Sequence, residues 1–262
     1  MRYFPKRYGV LETYIKKRVE EKDILLMSHI VLGYPSFDDN IRVIETMVEA
    51  GVDLMELQIP VSRPIADGPV ISRANLQALK GGATVEGCLN LAVSAARSFD
   101  IPFVLMSYYS IPFGYGVDRF VKTMSHGGLQ GAIIPDLPSQ EGRVYLDAMH
   151  AYNLAPILIF LPTTPVDRMR TIAASGSGFI YCVARKGFTG ETTNFSEELA
   201  AYLLVCRQST SLPLALGFGI KRKSDIDFLK GKADIAVVGT QTIRVMEQKG
   251  IAAVGDYIRR LR

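Results

Sequence analysis

Glu56 and Asp67 are the residues whose setting first suggests chemistry. Glu56 stands in the middle of the apolar run VDLMELQIP. Asp67 follows in the loop SRPIADGP, braced by Pro60, Pro64 and Pro69 with Arg63 among them. A carboxylate inside a strand must reach solvent, pair with a cation or enter a functional cavity, because burying it unpaired is costly. Strand alternation puts Glu56 on the face of Gln58 and Pro60, opposite Met55 and Leu57. If that face lines a pocket with apolar walls, Glu56 suits general acid–base work. A salt bridge to a nearby Lys or Arg is the alternative. Asp67 precedes Gly68, where an Asp commonly closes a turn on its own backbone. Its loop, however, leaves the strand end that carries Glu56. Two such carboxylates can divide acid–base roles when their environments differ.

A second feature suits an anion. Leu216-Gly217-Phe218-Gly219-Ile220 ends one apolar run, and Val238-Gly239-Thr240 ends the next, just before the helical pattern QTIRVMEQ. Glycines let backbone N–H groups approach a phosphate, and a helix N-terminus favours negative charge. Either cluster alone is compatible with a tight turn; both together point to phosphate. The segment Ala184-Arg185-Lys186-Gly187-Phe188-Thr189-Gly190-Glu191 has the composition of a loop that could close over substrate or lie plainly on the surface. His29, His126 and His150 show no metal spacing, and His29 could line a pocket or be structural.

These residues need elements to position them. Eight short apolar runs recur: ILLMSHIVLG, VDLMELQIP, IPFVLMSYY, LQGAIIPDLP, APILIFLP, GFIYCVAR, LPLALGFG and ADIAVVGT. None alternates strictly, as expected of parallel strands covered on both faces. Between them lie amphipathic stretches such as DDNIRVIETMVEAG and TVEGCLNLAVSAARSF, with N-cap residue types at Asp38 or Asp39, Thr84, Ser139, Ser196 and Ser224. Eight such units suggest a (β/α)8 TIM barrel over residues 1–262, whose chemistry sits at the C-terminal strand ends. A doubly wound open sheet shows the same alternation. The lack of GxGxxG after the first strand and the even spacing to the end favour the barrel. RYGVLETYIKKRVEE would then be an extra N-terminal helix closing the barrel's bottom.

The totals fit a soluble enzyme for a small anion. The chain has 262 residues, 48% hydrophobic, with a formal net charge of +4, too mild to argue for nucleic acid. Cys88, Cys182 and Cys206 are widely spaced with no zinc pattern, so buried reduced thiols in a cytoplasmic protein are expected. The N-terminus is too charged for a signal peptide, and no apolar run approaches the roughly 20 residues that span a bilayer.

The ordered motifs resemble the tryptophan synthase alpha chain family. They are Glu56-Leu57-x-x-Pro60-x-Ser62-x-Pro64-x-Ala66-Asp67-Gly68-Pro69, then Ile134-Pro135-Asp136-Leu137-Pro138, Gly187-Phe188-Thr189-Gly190 and Gly217-Phe218-Gly219-Ile220. The similarity runs from about Leu25 to Thr240 and implies a TIM barrel that cleaves indole-3-glycerol phosphate to indole and glyceraldehyde 3-phosphate by a retro-aldol route. By the resemblance, Glu56 protonates the indole ring carbon and deprotonates the glycerol hydroxyl, and Asp67 steadies the indole N–H. Leu105, Tyr108, Ile133 and Tyr181 fall in the substrate pocket. Gly190, Phe218, Gly219, Gly239 and Thr240 fall at the phosphate, with Thr240 in place of a serine, and Thr189 steadies the catalytic Asp. No metal or organic cofactor is implied for this chain. Pyridoxal phosphate is expected only on a beta-chain partner, in an alpha2-beta2 complex contacted through Pro60, Arg63, Ser110 and Pro138. Four positions depart from the pattern: Arg63 replaces an Asp, Ser110 an Asn, His29 an aromatic or apolar residue, and Gln58 a Gly. A stand-alone lyase releasing indole, and a non-catalytic regulatory partner of a beta chain, are the competing functions.

Overall fold

The structure, a computed structural model, describes residues 9–137, 142–184, 197–217 and 219–262. Eight parallel strands close into a barrel in chain order: β1 Leu25–Val31, β2 Leu54–Gln58, β3 Phe103–Met106, β4 Gly131–Ile133, β5 Ala155–Phe160, β6 Ile180–Val183, β7 Leu214–Gly217 and β8 Ile235–Val238. Each of the eight apolar runs holds one strand. The ladder from Leu25↔Ile235 to Ser28↔Val238 joins the first strand to the last, so no open edge remains. The doubly wound alternative is excluded by that closure.

Helices cover the outside because each strand buries both faces. α2 (Phe37–Glu49), α4 (Val85–Ser98), α6 (Val117–Gly127), α8 (Val166–Ser175) and α9 (Glu197–Ser209) fall where apolar residues recur three and four apart. Thr84 caps α4 by accepting from the Gly87 N–H at 3.1 Å, as its residue type suggests. For α2 the cap is Ser36, bonded to the Asp39 N–H, rather than Asp38 or Asp39. At α10 (Lys223–Leu229) Ser224 lies inside the first turn. The Asp225 carboxylate accepts from the Lys221 and Arg222 N–H groups instead. Ser139 and Ser196 lie outside the described residues.

The helix α1 (Val10–Glu21) plugs the N-terminal end of the barrel, as expected. Leu11 and Ile15 pack with Leu25, Leu54, Val104 and Ile235 from the barrel interior. Beside this plug Asp53, whose side chain is 1% exposed, accepts from the Leu26 N–H at 2.9 Å and pairs with Lys22, Arg18 and Arg262. Tyr14 Oη donates to the Asp53 carbonyl at 2.9 Å. The closed, charge-pinned bottom leaves the opposite end for the site. Among the described residues no helix is long and apolar enough to cross a membrane, and all three cysteines are buried and free.

Candidate active site

At the C-terminal ends of the strands a cavity of about 810 Å³ opens into the barrel mouth. Glu56, Asp67, Ile133, Tyr181, Gly219, Gly239 and Thr240, which the sequence nominates, all line it, and so does His29. Its walls include Met106, Ile159 and Val237, enough apolar surface for a flat aromatic ring.

Each carboxylate is held by a neighbour that departs from the family pattern. Glu56 is 4% exposed and His29 5% exposed. They are register partners on β1 and β2, and His29 Nδ1 lies 3.1 Å from Glu56 Oε1. Burial opposes charge on His29, yet the Glu56 carboxylate, by charge and hydrogen bond, raises its pKa overall, with smaller help from Asp67 and Gln58. Gln58, two residues along β2 on the same face, donates Nε2–H to Asp67 Oδ2 at 2.6 Å. Tyr108 Oη donates to the same oxygen at 3.1 Å and accepts the Ala66 N–H at 2.9 Å. That pair of bonds clamps the loop after β2, which is tied again where the Asn75 side chain accepts the Val61 N–H at 2.9 Å. Burial raises the Asp67 pKa, and the donations from Gln58 and Tyr108 and the field of His29 only partly offset it. The turn reading of Asp67 therefore gives way to a side chain aimed at the cavity.

Tyr181 faces both carboxylates from β6, and burial, then Glu56 and Asp67, push its phenol well above the usual tyrosine range. Its ring lies over Gly217: a Cβ there would meet Tyr181 Oη at 2.1 Å. Gly217 is therefore a space-maker. Across the mouth Gly219 adopts φ +86°, a backbone that side chains rarely take. Gly239 precedes α11 (Thr240–Lys249), whose first residues, Thr240 and Gln241, line the cavity, and the first N–H groups of a helix have no partner within it. Lys221 and Arg244 line the same cavity. Backbone donors, a helix N-terminus and two cations together suit a dianion.

Two sequence expectations are placed differently. Leu105 does not face the cavity. It packs outward with Met55, Leu57 and Ala132, and Met106, one residue on, takes the inward place. Strand alternation fixes the choice, because Val104 and Met106 share the interior face. Tyr108 stands behind Asp67 rather than on the cavity wall. Thr189, Gly190, Phe218 and Pro138 lie outside the described residues. Of the expected partner contacts, Arg63 and Ser110 are exposed and Pro60 is buried. No cluster that could hold a metal ion occurs among the described residues.

Known proteins similar to this chain fall in one family. The family model described as tryptophan synthase alpha chain matches residues 15–257. A tryptophan synthase alpha chain of Desulforapulum autotrophicum is 58% identical over 96% of this chain and 100% of its own length. That of Syntrophotalea carbinolica is 56% identical over 97% and 100%. Among solved structures, a Mycobacterium tuberculosis tryptophan synthase chain superposes with a TM-score of 0.91 at 25% identity, covering 97% of both chains. The tryptophan synthase subunit alpha of Legionella pneumophila superposes with 0.87 at 27% identity, also covering 97% of each.

Proposed function

The chain belongs to the tryptophan synthase alpha chain family, lyases that cleave indole-3-glycerol phosphate, and we propose that Glu56 and Asp67 carry the cleavage in this member. The observation that supports the assignment is the meeting of two buried carboxylates, an apolar wall and an anion-ready rim in one cavity at the barrel mouth. Glu56 gives a proton to the indole ring carbon and later takes the one on the glycerol hydroxyl. The carbon–carbon bond then breaks, its electrons enter the indole ring, and the former hydroxyl becomes the aldehyde. Asp67, fixed by Gln58 and Tyr108 through Oδ2, presents its other oxygen to the indole N–H as positive charge develops there. Gly219, Gly239 and Thr240 receive the phosphate, assisted by Lys221 and Arg244. Ile133, Tyr181 and Met106 hold the ring. This chain needs no cofactor of its own in the scheme.

We further propose a beta chain, itself carrying pyridoxal phosphate, as the partner in an alpha2-beta2 complex in the cytoplasm. It would dock over the barrel mouth, where Arg63 and Ser110 are exposed beside the apolar side chains of Ile65, 62% exposed, and Phe113, 69% exposed. Arg63 calls for an acidic residue opposite it.

The experiment is indole release from indole-3-glycerol phosphate by the purified chain, with and without the beta chain of the same source, for wild type and Glu56→Gln. Removing a general acid–base group is expected to lower release by about 10²–10⁴-fold. Unchanged release in Glu56→Gln would remove Glu56 from the mechanism. Release that the beta chain does not alter would favour a lyase working alone.

A further inference from the structure

We propose that His29 is the positioning residue of Glu56 and stores the proton that Glu56 exchanges with substrate. The inference rests on the reading of Glu56 as the acid–base group. Three observations support it. The two side chains are register partners on adjacent strands, they touch at 3.1 Å through one atom each, and both are sealed from solvent on the barrel side. Their other polar atoms, His29 Nε2 and Glu56 Oε2, are buried without a hydrogen-bond partner among the described residues. A fold does not gain stability from two unpaired buried polar atoms. Both side chains line the substrate cavity, so bound substrate can satisfy these atoms. An apolar residue in place of His29 would fill the same space without leaving Nε2 unpaired.

Proton accounting gives the pair its task. Cleavage adds one proton to the indole carbon and removes one from the glycerol hydroxyl, so no net proton is gained or lost. Because protonation comes first, the site must hold a proton before substrate reacts. At rest it sits on His29, with Nδ1–H donated to the Glu56 carboxylate. It crosses the 3.1 Å bond to Glu56 and passes to the indole carbon. The hydroxyl proton then returns through Glu56 to His29 as the carbon–carbon bond breaks. His29 itself touches no reacting atom.

The surroundings favour holding the proton on the imidazole. From β2 His29 faces Glu56 and the neutral Gln58, and from the following loop it feels Asp67. Just past β8 the Gly239 backbone packs against it, where an added Cβ would stand 3.2 Å from His29 Cβ. Tyr181 on β6 faces the two carboxylates, and its raised phenol stays neutral. The cations lining the cavity are Arg168, Lys221 and Arg244. Burial opposes the imidazolium, but Glu56, with smaller help from Asp67 and Gln58, outweighs it, so His29 titrates above its ordinary 6.5.

The test is the pH profile of kcat for indole release in wild type, His29→Asn and His29→Phe, with thermal unfolding as a check on folding. Asn places an N–H near the position of Nδ1 and cannot titrate. Wild-type kcat should fall on the alkaline side with a midpoint above 6.5. Both variants should lose that limb and at least about tenfold in kcat, with little change in KM. A limb of unchanged midpoint in His29→Asn, or wild-type kcat in it, overturns the inference. A second readout needs no turnover: imidazole NMR of His29 in Glu56→Gln should show a midpoint lower than in wild type, and an unmoved midpoint overturns the pair. Release retained in Glu56→Gln removes the acid–base reading along with this one. Release lost in Glu56→Gln but normal in His29→Asn removes the role of His29 alone.

Discussion

Gly217→Ala tests how the pocket wall is built. A Cβ at this position would lie 2.1 Å from Tyr181 Oη and 2.4 and 2.5 Å from two ring carbons, whereas ordinary contact begins near 3.4 Å. The phenol must therefore retreat by about 1.3 Å, and a ring cannot bend to do it. Tyr181 sits on β6 opposite Ala215, so its side chain leans diagonally along β7 onto Gly217. The cheapest relief swings the ring into the cavity at the barrel mouth. Overpacking of this kind costs about 1–3 kcal/mol. If that cost falls on the substrate complex, kcat/KM for indole release drops about 5- to 160-fold, since each 1.36 kcal/mol is a factor of ten. Steady-state release gives this number, and urea unfolding shows how much is instead absorbed by the free protein. The control is a double-mutant cycle with Tyr181→Ala. With the ring gone, Gly217→Ala should cost almost nothing in stability, leaving an interaction energy of about 1 kcal/mol or more. An undiminished penalty in that background, or wild-type kcat/KM in the single variant, would refute the space-making role.

Asp67→Asn should separate function from stability. A carboxylate whose folded pKa is raised is destabilising while ionised, and the penalty disappears only as pH falls through that raised pKa. Neutral Asn can still accept from Gln58 and Tyr108, so the melting temperature at pH 7 should equal or exceed that of wild type while indole release falls at least about 100-fold. A loss of more than about 1 kcal/mol would contradict the burial argument. Asp53→Ala should behave in the opposite way. Burial alone would raise the Asp53 pKa, but Lys22, the Leu26 N–H and Arg262 together lower it. Its stabilisation is thus present above the unfolded carboxylate value of 3.8 and lost as pH falls through the lower folded value. Removing it should cost about 3 kcal/mol at pH 7, the low end for a broken buried pair, because Lys22 and Arg262 keep 29% and 30% exposure. Urea titrations at pH 7 and pH 3 should show the difference shrinking in acid, and indole release by the folded variant should stay near wild type.

The sequence made the barrel legible because every strand is a continuous apolar run and each helix a periodic one. The same property hid Leu105. Where both faces of a strand are buried, the run LMS carries no alternation, and only the register of the folded barrel shows that Met106 rather than Leu105 turns inward. α12 (Ala252–Leu261) follows α11 across a single break at Gly250, which a reading led by strands has no reason to seek. Asp53 lies next to a strand already marked for catalysis, yet it serves the opposite end of the barrel, because its partners come from α1 and the C-terminal Arg262. The Glu56 and Asp67 pair was legible from residue types and loop chemistry. That His29 could line a pocket was legible too, but not its pairing with Glu56, which depends on the β1–β2 register.

The distribution of satisfied and unsatisfied polar groups ties these points together. At the bottom of the barrel Asp53 has a backbone donor and three cations, and both bonding and charge are complete. At the top, His29 Nε2, Glu56 Oε2 and Gln58 Oε1 are three of the five buried side-chain atoms without partners among the described residues. The other two, the hydroxyls of Tyr145 and Tyr257, belong to helices on the outer layer. One strand pair thus concentrates unsatisfied polarity at one end of the barrel. Such a concentration is costly in the free protein. A substrate that brings a donor to Glu56 Oε2 therefore binds with the help of a penalty already present, and the help is greatest where charge changes most during cleavage. It follows that Gln58→Gly, which removes one of these atoms and frees Asp67 Oδ2 from its 2.6 Å donor, should weaken indole release through kcat more than through KM. An effect confined to KM would mean that the polar wall serves binding alone.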